Sequence, residues 1–329
     1  MKRPLALLAF LLLAAATAVG CGSGTDENLA VAKPASSPEG VKLRVGVQKD
    51  GVRSILEKSG QLEDLPYDIS FATFAFGPPL VEAAGADKID VAGVGSTPPI
   101  FGAAADADFR AIATIQYRNQ EDDGILVPKG SEITSPEQLK GKTIAVAKGS
   151  SAHGLLLQLL HRIGLKPTDV KLNYLAPADG LAAFSSGQVD AWSVWHPYIE
   201  QAQADGAKQI AGGPPDEHGH SFEIASSKAV ADPKRAAALK DYVARLKKAF
   251  AWGAKHPDEW AAAWSDESGL PLAITKAAVR ERLSDIVPID QKTIDNQQAL
   301  ADRLATDKVL PDSITFKDIV TQGLAEGGN

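Results

Sequence analysis

The chain has 329 residues, enough for two domains, and its 44% hydrophobic and 23% charged residues are typical of a globular protein. Its net charge of −7 argues against nucleic acid as a partner, because phosphate binding needs a basic face, but it leaves a small anionic ligand possible. Cys21 is the only cysteine, which excludes intrachain disulfides, a thiolate zinc site and a cysteine nucleophile in the folded body.

The first 21 residues have the order of a secretory signal. A short basic start precedes an apolar run from Leu5 to Ala16, and small residues lead to Cys21. This ending resembles a bacterial lipobox, in which the cysteine is lipidated, and the apolar run is shorter than the ~20 residues that span a bilayer. We therefore predict a lipoprotein signal peptide over residues 1–20 and a lipid-anchored flexible tether over residues 21–40, rich in small and polar residues. The body would then lie on the outer face of the cytoplasmic membrane.

From residue 41 onward, strand and helix patterns alternate. The first unit predicts strands at 43–47, 69–74, 90–94 and 110–116, with helices at 77–86 and 98–105. The second unit predicts strands at 143–147, 170–174 and 189–194, with helices starting near 136, 152, 178 and 197. A strand at 222–226 would return to the first unit, and the remaining residues are mainly helical. Alternation of this kind is typical of α/β domains with mostly parallel sheets.

We therefore predict an α/β fold of two lobes with a ligand cleft between them. Lobe 1 would comprise residues 41–127 and 223–329, and lobe 2 residues 128–222, with hinge crossings near 127–130 and 220–224. Ligands in open α/β sheets bind at the carboxyl ends of strands, and two facing lobes can close on a small molecule.

Two strand-to-helix junctions of the first lobe carry polar side chains at the predicted cleft. Gln48 follows the first strand, where it could bind a ligand or form a surface turn. Ser96 and Thr97 precede a helix that begins with two prolines. Helix N-termini attract anions, but prolines remove N–H groups, so the two hydroxyls would have to supply donors. Thr97 could instead cap its own helix.

The second lobe offers a similar junction and an aromatic strand. Ser150, Ser151 and His153 lie where a strand runs through Gly and Ser into a helix, although either serine could be a cap. Farther along, Trp192 and Trp195 could form a wall for the carbon part of an organic ligand, or could pack in the core. His218 and His220 could be two metal ligands, but no carboxylate or third histidine lies at clear ligand spacing, so we predict a solvated loop there and neither a metal nor a cofactor.

These junctions resemble those of the substrate-binding proteins of bacterial sulfonate ABC importers, the aliphatic sulfonate and taurine type related to nitrate binders. The matching stretches are LRVGVQK at 43–49, GSTPPIF at 95–101, KGSSAHGLLL at 148–157 and APADGLAAFSSGQVDAWSVWHPY at 176–198. The resemblance implies a type II periplasmic-binding fold that closes on a sulfonate and presents it to a membrane permease, as a monomer. It implies that the sulfonate oxygens are held by Gln48, Ser96, Thr97, Ser150, Ser151 and His153. It implies that the organic end is bordered by Asp190, Trp192, Trp195 and His196, with Gln116 as a further candidate.

The chain departs from the family pattern at two positions, and both departures remove a negative charge. His196 stands where the family often has aspartate, and so does Ser96. We therefore expect neutral donors to dominate the site and the ligand to be more anionic or to lack an amino group. The alternatives are a binder of nitrate, bicarbonate or another small organic anion, and an enzyme resembling the sulfinate desulfinases. The enzyme is disfavoured because those proteins use a nucleophilic cysteine, and because Ser151 and His153, two residues apart on a helix, do not face each other.

Overall fold

The computed structural model describes residues 32–35, 37–119, 122–213 and 219–326. The predicted signal peptide and the predicted lipidation site, Cys21, lie outside the described residues. Within these ranges, no helix is both long enough and apolar enough to cross a membrane.

Eleven strands and eleven α-helices alternate along the described ranges. The strands are β1 (Lys42–Val47), β2 (Asp68–Thr73), β3 (Val91–Gly95), β4 (Phe109–Tyr117), β5 (Asp123–Val127), β6 (Thr143–Val146), β7 (Lys171–Tyr174), β8 (Ala191–Trp195), β9 (Lys208–Gly212), β10 (His220–Ser226) and β11 (Ser284–Val287). The helices are α1 (Val52–Lys58), α2 (Gly77–Gly85), α3 (Pro98–Ala104), α4 (Ser151–Arg162), α5 (Pro177–Ser185), α6 (Tyr198–Ala204), α7 (Ser227–Ala231), α8 (Pro233–Gly253), α9 (Pro257–Ser268), α10 (Leu272–Glu281) and α11 (Gln291–Thr306). The helix start predicted at Ser135 does have its capping box with Gln138, but it opens a 3-10 turn of four residues, Pro136–Leu139.

The strands form two sheets, one in each lobe. The first has the order β11-β4-β10-β3-β1-β2, with β1 parallel to β2 and β3, and β10 antiparallel to both β3 and β4. The second has the order β7-β6-β8-β5-β9, with β6 parallel to β7 and β8. The predicted α/β fold of two lobes is thereby confirmed.

The chain crosses between the lobes earlier than we predicted. Strand β5 pairs with β8 and β9 in the second sheet, so the first crossing is at 118–122 and not near 127–130. Strand β10 belongs to the first sheet from His220 onward, so the return is at 213–219 and not near 220–224. All five residues of β5 are buried, and a strand buried on both faces carries no sequence pattern that shows which sheet it joins.

Each face of the first sheet is covered by a separate apolar layer. One layer packs α1, α8 and α9 against it and includes the fully buried Trp260 and Trp264. The other packs α2, α3 and α11, and it also includes Leu157, which comes from α4 of the second lobe. The two lobes are thus joined by side-chain packing as well as by the two connecting segments.

Candidate functional site

A narrow cavity of ≈ 40 Å³ lies between the lobes, at the carboxyl ends of β1 and β3. The first lobe contributes polar and charged side chains to its lining, namely Gln48, Asp50, Tyr117, Ser221 and Arg282. The second lobe contributes Ser150, Ser151 and Trp195, and the first connecting segment contributes Asp122.

A second, larger and more apolar cavity of ≈ 310 Å³ adjoins the first and shares Gln48, Asp50 and Trp195 with it. Its other lining residues include Phe74, Pro177 and Tyr198. The two cavities together offer a polar end and an apolar end, which is the arrangement that an amphipathic organic ligand requires.

Four of the predicted site residues line the inter-lobe cavity: Gln48, Ser150, Ser151 and Trp195. The Ser151 hydroxyl donates to Oδ1 of Asp123 at 2.8 Å. Ser150 is the N-cap of α4, and its Oγ accepts from the backbone N–H of His153 at 3.2 Å. Ser150 is therefore both a cap and a cavity residue, and the two interpretations that we left open for the serines are compatible.

Ser96 and Thr97 are buried and lie outside the cavity lining. Neither hydroxyl has a hydrogen-bond partner among the residues that the structure describes, and Thr97 makes no side-chain cap. Thr97 instead packs across the lobe interface, since a Cβ added to Gly154 of α4 would lie 2.1 Å from its Oγ1.

His153 also lies behind the cavity wall. Its Nδ1 accepts the Gly149 N–H at 3.2 Å, and its ring contacts the rings of Phe101 and Tyr174. Burial, followed by the charge of Lys148, lowers the pKa of His153 to about 4, so the imidazole is neutral at physiological pH. The structure therefore places it as a support for the 149–151 turn.

The prediction that Asp190 borders the organic end of the ligand is wrong. Its carboxylate accepts the Thr143 N–H at 2.7 Å, at the amino ends of β6 and β8, and the cleft lies at the opposite ends of those strands. Asp90 makes the same bond to the Arg44 N–H at 2.7 Å in the first lobe. Asp90 and Asp190 therefore have the same structural role, one in each sheet: each carboxylate accepts a backbone N–H at the start of the neighbouring strand.

Trp192 is a core residue, and Gln116 faces away from the cavity. Trp192 is 1% exposed and contacts Phe184 and Tyr198 within the second lobe. Gln116 donates to the Gly219 carbonyl at 2.7 Å, while its strand neighbour Tyr117 lines the cavity. Alternate residues of a strand face opposite sides, and the sequence did not tell us which of the two sides is the cleft.

His196 lines a different cavity between α6 and α10, and its Nδ1 lies 2.6 Å from Oε1 of Glu200. Burial lowers the pKa of His196, but the hydrogen bond and charge of Glu200 outweigh it and raise the pKa overall. His196 therefore does not line the inter-lobe cavity, although its neighbour Trp195 does.

Sequence reasoning missed the charged residues of the cavity. Arg282, which is 8% exposed, lies 3.1 Å from Oδ1 of Asp122 and 3.6 Å from Oδ2 of Asp50. Its guanidinium also lies over the Tyr117 ring, 5.6 Å from the centroid. The sequence predicts a site of neutral donors, and the cavity lining adds one guanidinium and two carboxylates to them. These residues are far apart in the chain, and none belongs to a motif that would predict their meeting.

At two glycines, the backbone of one lobe lies close against a side chain of the other lobe, beside the cavity. A Cβ added to Gly95 of β3 would lie 2.7 Å from Oγ of Ser151, and the Gly154 position meets Thr97 as described above. Real Cβ atoms do not approach so closely, so glycine at both positions is required for this arrangement. The described conformation is therefore a closed one, in which the β3–α3 junction touches the N-terminus of α4.

The chain is similar to several proteins of known description. A family model described as NMT1/THI5 like matches residues 79–260. A protein of Escherichia coli strain K12, described as an aliphatic sulfonates-binding protein, is 32% identical over 87% of this chain and 90% of that protein. One with the same description from Bacillus subtilis strain 168 is 31% identical over 85% of each. The solved alkanesulfonate-binding protein SsuA from Xanthomonas axonopodis pv. citri, bound to MOPS, has a TM-score of 0.80 at 31% identity, over 87% of this chain and 99% of that one.

An enzyme shares the same fold. The structure of DszB in complex with biphenyl-2-sulfinic acid has a TM-score of 0.63 at 17% identity, over 86% of this chain and 97% of that one. At this identity the likeness concerns the fold alone, whereas the relatives above 30% identity are described as binding proteins.

Proposed function

The chain belongs to the NMT1/THI5-like family, and from that premise we propose that it is the extracytoplasmic substrate-binding component of an ABC importer for an organosulfonate. The two lobes would capture the ligand by closing on it, and the protein would deliver it to the permease. The observation that carries the proposal is the pairing of a polar inter-lobe cavity with an apolar one beside it. An organosulfonate has the same two ends. The relatives described as sulfonate-binding proteins support this choice of ligand.

The sulfonate would bind at the N-terminus of α4. This helix has 12 residues, and its first-turn amides, beginning at Ser151 and Ala152, have no acceptor within the helix. The aligned peptide dipoles add a partial positive charge at that end. The Ser151 hydroxyl, which here donates to Asp123, would rotate to donate to a sulfonate oxygen. Gln48 faces this site from the first lobe, so the ligand would contact both lobes.

The organic end would lie against Trp195 and extend toward Tyr198 and Phe74 in the second cavity. Burial of carbon against these rings stabilises the complex in proportion to the apolar area removed from water. A ligand that touches both lobes favours the closed state because it binds that state better than the open one. Sulfate and nitrate lack the carbon part and would lose this contribution.

A thermal unfolding experiment tests the ligand class. We expect short alkanesulfonates, each at ~100 times its Kd, to raise the free energy of unfolding by ~2.7 kcal/mol, with sulfate and nitrate having much less effect. Ser151→Ala removes a cavity hydroxyl and should weaken sulfonate binding several-fold. Ser186→Ala is the matched control, because that hydroxyl bonds only to α5 carbonyls. Stabilisation by nitrate or bicarbonate in the absence of any response to sulfonates would contradict the proposal.

The lipid anchor is a further part of the proposal. Cys21 lies at the end of a signal-like segment, and lipidation there would hold a monomeric body at the outer face of the membrane. Metabolic labelling with a radioactive fatty acid should mark the wild-type protein and not the Cys21→Ala variant, which should be released from the membrane fraction. Labelling that persists in the variant would contradict the assignment of Cys21.

A further inference from the structure

We infer that the ligand carries a positive charge in addition to its sulfonate, and that Asp50 and Glu223 of the first lobe form the subsite for that charge. This inference rests on the proposed function and names the substrate class within it, an aminosulfonate. It reverses the expectation drawn from the sequence, which favoured a ligand without an amino group.

The first observation is the balance of charge in the cavity wall. Among the described residues, the cavity lining contains two carboxylates, Asp50 and Asp122, and a single cation, Arg282. Arg282 is within hydrogen-bond distance of Asp122, at 3.1 Å, whereas its 3.6 Å separation from Asp50 is too long for a hydrogen bond. The guanidinium is therefore committed mainly to Asp122, and Asp50 is incompletely compensated.

The second observation is a buried carboxyl group beneath the cavity floor. Glu223 of β10 is 0% exposed, and neither of its carboxyl oxygens has a hydrogen-bond partner among the described residues. It pairs across the sheet with Gly93, which lines the cavity. A Cβ added to Gly93 would lie 3.2 Å from Oε1 of Glu223, so the carboxyl group reaches the cavity wall at the position where Gly93 has no side chain.

Asp50 lines the cavity, and Glu223 lies directly behind the Gly93 backbone, so both carboxyl groups border the same part of the cavity. Asp50 lies where the two cavities meet, since it lines both, and its Oδ1 accepts the Val52 N–H at 3.3 Å. Its Oδ2 faces Arg282 only at long range. An ammonium group on the ligand would supply several donors to oxygens that lack them here.

The energetic cost of this cluster explains why a cation is favourable. An unpaired carboxylate is destabilised when it is removed from water. Burial, and then the charge of Asp50, raises the pKa of Glu223 to about 8. Burial also raises the pKa of Asp50, while Arg282 opposes that rise. The other titratable group facing Glu223 is the phenol of Tyr242 on α8, whose own pKa is raised by burial and then by Glu223.

A matched pair of ligands tests the inference. Propanesulfonate and aminopropanesulfonate differ only by the terminal amino group, which is protonated below pH ~10. We expect isothermal titration calorimetry at pH 7.5 to give at least ten-fold tighter binding of aminopropanesulfonate. Binding of this ligand should also release protons, seen as a dependence of the binding heat on the ionisation enthalpy of the buffer, because an ammonium favours ionised carboxylates.

The pH dependence gives an independent readout with opposite signs for the two ligands. As pH rises from 6 to 9, Glu223 loses its proton and the cavity becomes more negative. The affinity for aminopropanesulfonate should therefore rise, whereas the affinity for propanesulfonate should fall. Both trends should flatten in Glu223→Gln, which keeps the size of the side chain, and should persist in the matched control Glu259→Gln, which alters an exposed carboxylate far from the cavity.

The outcomes separate this inference from the proposed function. Equal or tighter binding of propanesulfonate by the wild-type protein would overturn the inference and leave the sulfonate proposal intact. Failure of both ligands to bind would overturn the proposed function. If Glu223→Gln unfolds, Asp50→Asn takes its place, and retention of the ten-fold preference in that variant would assign the preference to other residues and overturn the assignment made here.

Discussion

Two tryptophans three residues apart have different roles, although their sequence context is nearly the same. Trp192 is enclosed within the second lobe, where its Nε1 would lie 2.8 Å from a Cβ added to Gly180. Trp195, at the end of β8, reaches both the inter-lobe cavity and the apolar cavity beside it. One side chain therefore stabilises the lobe, and the other is available to a ligand.

Alanine substitutions should separate these roles. Trp192→Ala removes a core aromatic ring, which costs about 3–5 kcal/mol of unfolding free energy, while sulfonate affinity in the variant that still folds should change less than three-fold. Trp195→Ala should cost less stability and should weaken sulfonate binding at least ten-fold. Urea unfolding and calorimetry on both variants provide the comparison. Loss of affinity in Trp192→Ala at full stability would place that ring in the site instead.

At the scale of secondary-structure elements, the contact between α4 and the β3–α3 junction sets how far the lobes can close. Gly154 lies in the first turns of α4, directly against Thr97, and Gly95 meets Ser151. Because the two glycine backbones lie so close to the side chains of Thr97 and Ser151, the N-terminus of α4 reaches the cavity in this closed conformation.

Gly154→Ala should hold the lobes apart. Alanine is the better helix former, but its Cβ would overlap Thr97 across the interface. We expect sulfonate affinity to fall by ten-fold or more, and small-angle scattering to show that the ligand no longer reduces the radius of gyration. Gly180→Ala is the control, because its added Cβ would lie 2.8 Å from Nε1 of Trp192 within one lobe and would leave the lobe interface unchanged. If Gly154→Ala closes and binds normally, the glycine contact does not control closure.

Most elements of the fold could be predicted from the sequence, since hydrophobic periodicity identified the principal strands and the helix at 151–162. The sequence could not predict which alternate residues of each strand face the cleft. Whether Gln116 or Tyr117 faces the cleft depends on the packing of α8 and α9, which the sequence does not reveal locally. The same limitation made Asp190 look like a ligand residue, whereas it bonds the neighbouring strand at the end opposite the cleft.

At the scale of the whole molecule, the charges of the cavity come from three distant parts of the chain. Asp50 follows β1, Asp122 lies in the first crossing between the lobes, and Arg282 follows α10. No local pattern could have predicted this cluster, because each member is ordinary in its own segment. Arg282 links the first lobe to a connecting segment, so it contributes to the geometry of the hinge as well as to the cavity.

Removal of the buried guanidinium should be strongly destabilising. Arg282→Met leaves Asp122 and Asp50 without their cation, and breaking a buried pair in this way costs about 3–5 kcal/mol. Adding Asp122→Asn to Arg282→Met should recover part of that loss, since it removes one of the uncompensated charges. Denaturant unfolding of the wild type, the two single variants and the double variant measures the coupling. Strictly additive effects would show that the two side chains do not interact.

The path of the chain before β1 has a mechanical consequence. The backbone N–H groups of Ala32 and Ala35 bond the carbonyls of Val230 and Pro233, so the described N-terminal residues are fastened to the first lobe beside α7 and α8. Any tension applied through the preceding residues is borne by that lobe, and none of it passes through the two crossings. The first lobe is thus the part to which the N-terminal segment is attached, and the second lobe moves relative to it. A force applied from the N-terminal side therefore neither opens nor closes the cleft.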